Sequence, residues 1–524
     1  MRAIAATPHD LGELGDAVIH DTLGHGHLAL HEWREAAREL TGAAAAGQQT
    51  PEVHAALGRA LGELYHRALE EARRSGDKQW LARRQQELAQ QYLTPALAEL
   101  EASRGSSEDA GLLEAQIAFY RGDFAAAEQR AQAVAERAPW LSDARKLAGD
   151  AAYGAAMEAF DHGDYDGARP GLERAAARYA EASDVARSDA AIYDAAAQAL
   201  LQRGENDSRQ GRTPREPLEH ALDAIDRAVR ADPDDATAYT TRAYVLVRWY
   251  REPSLAGSGD QRPLLERIDQ AAKRATEADP RDARAWDALG NAHFFRGVYE
   301  AHHGGDGVPW WNTALGEIGR ALELAPDDPW ANNDLGIVHD SLGDSLEKAG
   351  RDPMPEYQEA LRSYARVTAI DPQYLYGWSN QASLYATIAE HDLAGGTDPG
   401  AAVERARRAG ERGLEVDGNY TPLLDTMARA QVALLQHFAA HGGDPTAVAT
   451  ARRYLEQCLG HSEQVRPGQW GVAFYRLAAA AAEAMFRVRA STEPTSALEA
   501  GRRALDEVTR LVPASARKYV RIEA

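Results

Sequence analysis

The chain of 524 residues has a single cysteine, Cys458. That excludes a disulfide framework and a thiolate metal site, and a reducing, cytoplasmic setting is expected. Long apolar runs are missing as well. The longest, around Leu477 to Phe486, is Ala-rich and interrupted by Glu483, well short of the ~18 residues that a membrane span needs. The start, MRAIAATPHDLGELGD, lacks the charged-then-apolar order of a signal peptide. Cations are in deficit, 58 Lys and Arg against 80 Asp and Glu, for a net charge of −22. Nucleic acid is therefore not expected as a partner, whereas a basic protein surface or peptide is easier to accept. Catalytic signatures are absent too. No serine sits in Gly-x-Ser-x-Gly, and the glycines at Gly257, Gly259, Gly304, Gly305 and Gly307 follow no strand. The expectation is a chain without enzymatic activity, cofactor or metal.

What is present is a period. Pro139, Pro233, Pro280, Pro326, Pro372, Pro467 and Pro513, with Arg187 and Gly418 in the two odd slots, stand 48, 46, 47, 46, 46, 46, 49 and 46 residues apart. A fixed interval of this length marks helical hairpins, each too small to bury its own apolar face and so stacked on its neighbours. After Pro280, Trp286, Leu289, Gly290 and His293 fall on one helix A, and Ala314, Ile318, Ala321 and Pro326 on the following helix B. Ala221, Ile225 and Ala228 before Pro233, and Ala360, Tyr364 and Val367 before Pro372, repeat the helix B pattern. These positions resemble the tetratricopeptide (TPR) pattern, with helices A lengthened by about a turn and a half. The expected fold is all-α, an open right-handed TPR-like superhelix with a period of about 46 residues, and hairpin stacks of the HEAT or armadillo kind are the rival.

Near the N-terminus the hairpin turns are short, as at Gly122-Asp123-Phe124 and Gly163-Asp164-Tyr165. From Tyr239 onward they give way to longer polar loops ending in Pro263, Pro309, Pro355, Pro399, Pro445 and Pro494, each suited to the first turn of helix B. Such loops lengthen cheaply and read as slack. Residues 1–135 form an N-terminal helical, TPR-like region, with a bend expected at Pro95, and residues 136–524 form the solenoid. His27, His31 and Glu35 share a helical face near His25, and packing or surface exposure is favoured there over metal binding. Cys458 reads as a small buried apolar residue.

Within the first 200 residues or so, LGHGHLALHEW, PEVHAALGRALGELYHRALEEARR, QQYLTPALAELEASRG and ERAPWLSDARKLAGD resemble the TPR region that follows the kinase domain in bacterial serine/threonine kinases of the myxobacterial type. The resemblance implies a regulatory or docking role in kinase-linked signalling, or a module separated from a longer kinase polypeptide. The kinase's Gly-rich loop, lysine, His-Arg-Asp and Asp-Phe-Gly elements are not in this chain.

In TPR arrays helices A build the concave wall that takes a partner. Projected here, that wall carries Arg284, Asp287, Asn291 and Phe295, then Trp330 and Asn333 with Ile337, then Tyr376 and Ser379 with Ser383, then Asp425 and Arg429. Polar groups mixed with Trp and Tyr suit an extended or helical protein segment. The lysines that would clamp a terminal carboxylate are missing. The reading is a scaffold or adaptor for a protein or peptide, able to form a homodimer through an end. An α/α-toroid enzyme is the distant alternative, since no facing carboxylate pair stands out.

Overall fold

A computed structural model describes residues 12–30, 32–74, 84–105, 109–161, 164–252, 255 and 259–512. Among them every regular element is a helix. The first are α1 (Gly12–Ala29), α2 (Trp33–Ala45), α3 (Pro51–Arg74) and α4 (Thr94–Ala102). Hairpins follow: α5 (Ala110–Tyr120) with α6 (Phe124–Arg137), α7 (Ser142–Asp161) with α8 (Tyr165–Val185), and α9 (Ala190–Arg209) with α10 (Arg215–Ala231). Next come α11 (Ala236–Arg251) with α12 (Arg262–Ala278), and α13 (Ala283–His302) with α14 (Val308–Leu324). The last four pairs are α15 (Pro329–Lys348) with α16 (Met354–Ile370), α17 (Leu375–Ala394) with α18 (Gly400–Val416), α19 (Thr421–His441) with α20 (Pro445–Val465), and α21 (Trp470–Arg489) with α22 (Thr495–Leu511). The chain divides into two compact units, one ending at Pro326 and one beginning at Asp327. In each, a helix A packs on its own helix B and on the adjoining helix A. The all-α class and the stacked, lengthened TPR-like hairpins follow from this.

The period has a concrete cause. Helices B end at Arg137, Val185, Ala231, Ala278, Leu324, Ile370, Val416 and Val465, each two residues before a marker, and the next helix begins three residues after it. The residue between leaves the helical region in every case, as at Ala138 with φ −125° and Arg466 with φ −136°. Proline imposes an extended conformation on its predecessor. Ala186 and Asp417 adopt it before Arg187 and Gly418 as well, so the turn does not depend on proline alone. A side chain six residues past the marker closes it. Trp286 Nε1 donates to the Pro280 carbonyl at 3.0 Å and Trp378 Nε1 to that of Pro372 at 2.8 Å. The Tyr239 hydroxyl reaches Pro233 at 3.1 Å, and that of Tyr193 reaches Arg187 at 3.3 Å. Pro513 lies outside the described residues.

Close crossing of A and B is set by small residues. Ala314, Ile318 and Ala321 are buried, as are Ala221, Ile225 and Ala228, and Ala360, Tyr364 and Val367. Opposite Tyr364 stands Gly336, where a Cβ would come within 2.4 Å of the ring. A side chain there would displace a fully buried tyrosine.

The loops after helices A open on a fixed turn. Gly304, Gly350, Gly396 and Gly442 lie 46 residues apart and all have positive φ, and Ser491 fills the next slot at φ 54°. After Gly304, Gly350, Gly396 and Ser491, the following N–H reaches back across the helix end, as in Gly305 N to Glu300 O at 2.8 Å and Thr397 N to Asp392 O at 2.7 Å. This is a left-handed C-cap, which satisfies carbonyls that the helix leaves open. Of the loop prolines, Pro263, Pro309, Pro355 and Pro445 occupy the first turn of helix B, while Pro399 and Pro494 stand one residue earlier, at the N-cap. The expected bend at Pro95 takes the form of a π-helical turn, Ala89–Leu93, just before it. Proline cannot donate to a carbonyl one turn back, and the helix widens where that bond is lost.

Candidate functional site

In the first unit, Arg284, Asp287, Asn291 and Phe295 share α13 and meet α11. The Tyr244 hydroxyl lies 3.3 Å from both the Arg284 carbonyl and Asp287 Oδ2. Asn291 Nδ2 donates to the Asp287 carbonyl at 3.1 Å and to its Oδ2 at 3.3 Å. The Arg284 guanidinium sits 5.8 Å above the Tyr244 ring, and Phe295 packs 5.5 Å from Tyr250. Asp287 is buried. These groups are engaged with one another across adjoining helices A.

Beneath them, the buried His293 is clasped on both sides. Its Nε2 is 3.1 Å from Asp269 of α12, and its Nδ1 is 2.6 Å from Glu317 of α14. Burial alone would lower this imidazole, but the two carboxylates outweigh it and raise it to about 9. It is therefore an imidazolium joining three helices.

The second unit differs. Trp330, near the start of α15, is 47% exposed. Its ring meets that of Tyr374 at 5.2 Å, Tyr374 meets Tyr376 at 5.8 Å, and Tyr376 meets Tyr420 at 6.3 Å, all edge to face. An aromatic run thus crosses the starts of α15, α17 and α19. Deeper along the same helices, Asn380 Nδ2 donates to Asn333 Oδ1 at 2.9 Å, and Asn333 is buried. Arg429 Nη2 donates to the Ser383 carbonyl at 2.9 Å and lies 3.3 Å from Thr387 Oγ1, with Glu390 3.6 Å from its Nη1. Asp425 turns toward helix B, where the Ser462 hydroxyl donates to it at 2.9 Å. Ser379 and Ile337 are half-buried on this wall.

The carboxylates of this wall are held in their neutral form more than usual. Burial raises Asp340 to about 7, with the charge of Asp344 adding and Arg429 opposing. Asp340 makes no hydrogen bond or ion pair with the described residues. Burial also raises Glu390 and Asp425. Arg429 is shared by Asp340 and Glu390, whereas Arg466 opposes the rise of Asp425, so an added cation is favoured beside Asp340 and Glu390.

Tyr374, Tyr420, Asn380, Thr387 and Asp340 were not legible as wall residues from the helix A pattern. Tyr374 and Tyr420 precede their helices, but they stand 46 residues apart, as do Trp330 and Tyr376; the period itself was the signal.

Other candidate chemistry resolves differently. His27 Nδ1 lies 2.5 Å from Glu32, and His31 falls outside the described residues. Among the described residues no group of His, Cys, Asp and Glu could hold a metal ion. Cys458 is buried, and burial pushes its thiol up to about 12, far from a reactive thiolate. No described helix is long and apolar enough to cross a membrane.

No protein-family model and no curated protein matches the chain. Among solved structures it is similar to YrrB, a TPR protein with an unusual peptide-binding site, at 20% identity over 47% of this chain and 95% of that one, with a TM-score of 0.27. It is similar to TTC0263, a thermophilic TPR protein of Thermus thermophilus, at 18% identity over 44% and 94%, with a TM-score of 0.30. A human IFIT1 dimer with m7Gppp-AAAA matches at 12% identity over 85% and 94%, with a TM-score of 0.42.

Proposed function

We propose that this chain is a non-catalytic, cytoplasmic scaffold that docks an extended protein segment on its helix A walls. The docked segment is basic, and the second unit is its main seat. The observation that carries this reading is the aromatic run from Trp330 to Tyr420 together with the buried carboxylates Asp340 and Glu390, deeper along the same helices, which share the one guanidinium of Arg429. Aromatic rings anchor a partner and also attract its cations, and acids raised by burial gain when a Lys or Arg arrives. The same acids repel phosphate backbones, which favours protein over nucleic acid. In this reading residues 136–524 carry the docking surface and residues 1–135 form a helical region at its head. On the first-unit wall, Arg284, Asp287, Asn291 and Phe295 are a separate set of candidate contacts. On the second, Trp330, Tyr376 and Ser379 face the segment, while Asn333, Asp425 and Arg429 hold the wall in place.

The resemblance of the first 200 residues to kinase-associated repeats supports a regulatory place in kinase-linked signalling, either as a free adaptor or as a module of a longer kinase polypeptide. The test is an array of synthetic peptides of graded charge, probed with the intact chain and with its Trp330→Ala/Tyr376→Ala variant. Lysine- and arginine-rich peptides should be retained by the first and lost by the second, with thermal unfolding little changed. Retention independent of peptide charge, or equal retention by the variant, would reject the second-unit wall as the seat.

A further inference from the structure

The first unit holds a second concave feature, built by different helices from the wall. Between α10 and α12, over α11, lies a cavity of about 290 Å³. Its charged lining is Arg242 of α11 with Arg267 and Arg274 of α12, set against one carboxylate, Asp226 of α10. Three guanidiniums to one acid is a local reversal in a chain of net charge −22.

The guanidiniums are only partly used. Arg242 pairs with Asp226 through Nη2, and its buried Nε has no hydrogen-bond partner. Arg274 gives Nη1 to Glu277 at 2.9 Å and rests 5.6 Å from the centre of the Tyr239 ring. Arg267 is exposed and makes no ion pair or hydrogen bond with the described residues. The floor is apolar, with Leu246 and Ala271 both buried.

An earlier groove of the same kind shows what is special here. The smaller cavity between α6 and α8, about 220 Å³, also holds two arginines, Arg145 and Arg178. There Glu136 and Glu181 line it too, Arg178 pairs with Glu181 at 3.0 Å, and Arg145 is tied to the Pro139 carbonyl at 2.5 Å. That cavity is neutral; the one over α11 is cationic.

We propose that the cavity between α10 and α12 binds a phosphate group, as a monoester or as the free ion. A carboxylate is satisfied by one guanidinium fork, whereas a phosphate monoester carries nearly two charges and three acceptor oxygens at neutral pH. It can thus engage the free nitrogens of Arg242, Arg267 and Arg274 together, with its carbon substituent on the Leu246 floor. The phosphate comes either from a phosphorylated side chain of a partner or from a free phosphate.

The test is calorimetric titration of the intact chain with three probes: a short glycine peptide carrying one phosphoserine, the same peptide with glutamate in that place, and inorganic phosphate. The phosphoserine peptide should bind, with the glutamate peptide at least about tenfold weaker. Inorganic phosphate as tight as the peptide assigns the free ion, and a tighter peptide assigns a phosphorylated partner. Arg267→Gln, an exposed change that leaves packing intact, should weaken binding about tenfold, and adding Arg274→Gln should abolish it. The assignment is overturned if neither phosphate probe saturates by about 1 mM. Equal binding of the glutamate peptide, or no effect of Arg267→Gln, overturns it as well. The Trp330→Ala/Tyr376→Ala variant should bind the phosphate probes normally, which separates this cavity from the basic-segment seat.

Discussion

The helix A walls of the two units use the same hairpin for opposite ends. Around α13 the polar groups answer one another: Tyr244 serves Arg284 and Asp287, and His293 is held between Asp269 and Glu317. Burial would push Asp269 up, but its bonds from His293 and Lys273 outweigh that and hold it below the ordinary carboxylate range. Along α15, α17 and α19 the account is left open. Trp330 is half exposed, Asp340 has no cation of its own, and Arg429 is spread over Ser383, Thr387 and Glu390. In one wall the charged groups face close partners of opposite charge, and in the other an exposed tryptophan stands with acids that share one guanidinium. Buried charge without a partner costs free energy, and such a cost marks a place where binding repays it.

If the scaffold is common to both units, equivalent glycines should be equally intolerant. Gly336→Val against Tyr364 and Gly290→Val against Ile318 should each cost about 3 kcal/mol in denaturant unfolding, since both Cβ positions fall within 2.4 Å of the facing side chain. Unequal losses would show that the hairpins are not equivalent.

The walls should then separate. His293 is raised from an ordinary 6.5 to about 9, so its contribution is fully present below about pH 6.5 and lost as pH rises through about 9. His293→Gln should cost about 2–3 kcal/mol at pH 6 and progressively less above pH 9, measured as the shift in unfolding midpoint across a pH series. Asp340 runs the other way. Its carboxyl is raised from 3.8 to about 7, so the penalty of its charge is absent below pH 3.8, grows as pH rises, and is complete above about 7. Asp340→Asn should therefore stabilise the chain at pH 8, on the order of 1 kcal/mol after allowing for solvent screening. A loss of stability would place Asp340 among the satisfied groups and erase the contrast. The smallest effect concerns the shared caps: Ser491→Gly, at the one non-glycine slot with positive φ among the described residues, should stabilise by roughly 0.5–1 kcal/mol.

The hairpins were legible because proline punctuates most of the helices B, with Arg187 and Gly418 in two slots, and the period repeats what single matches say weakly. The helix A caps were equally periodic at Gly304, Gly350, Gly396 and Gly442. Polar composition gave no sign of a fixed turn at the start of those loops, which the φ angles show. Helical spacing assigns wall residues to faces, but it cannot say which neighbour each meets. That Asp425 turns to Ser462 while Arg429 reaches Ser383 is decided by packing between hairpins. The clasp on His293 was hidden for the same reason: its two acids come from different helices, 24 residues away on either side.

The most direct measurement is calorimetric titration of the intact chain with an oligolysine peptide at pH 5.5 and pH 8. Binding should be tighter at pH 8, where Asp340 is ionised, and Asp340→Asn should remove most of the difference between the two. Equal affinity at both values, or a pH dependence that survives Asp340→Asn, would contradict an open carboxylate wall awaiting a cation.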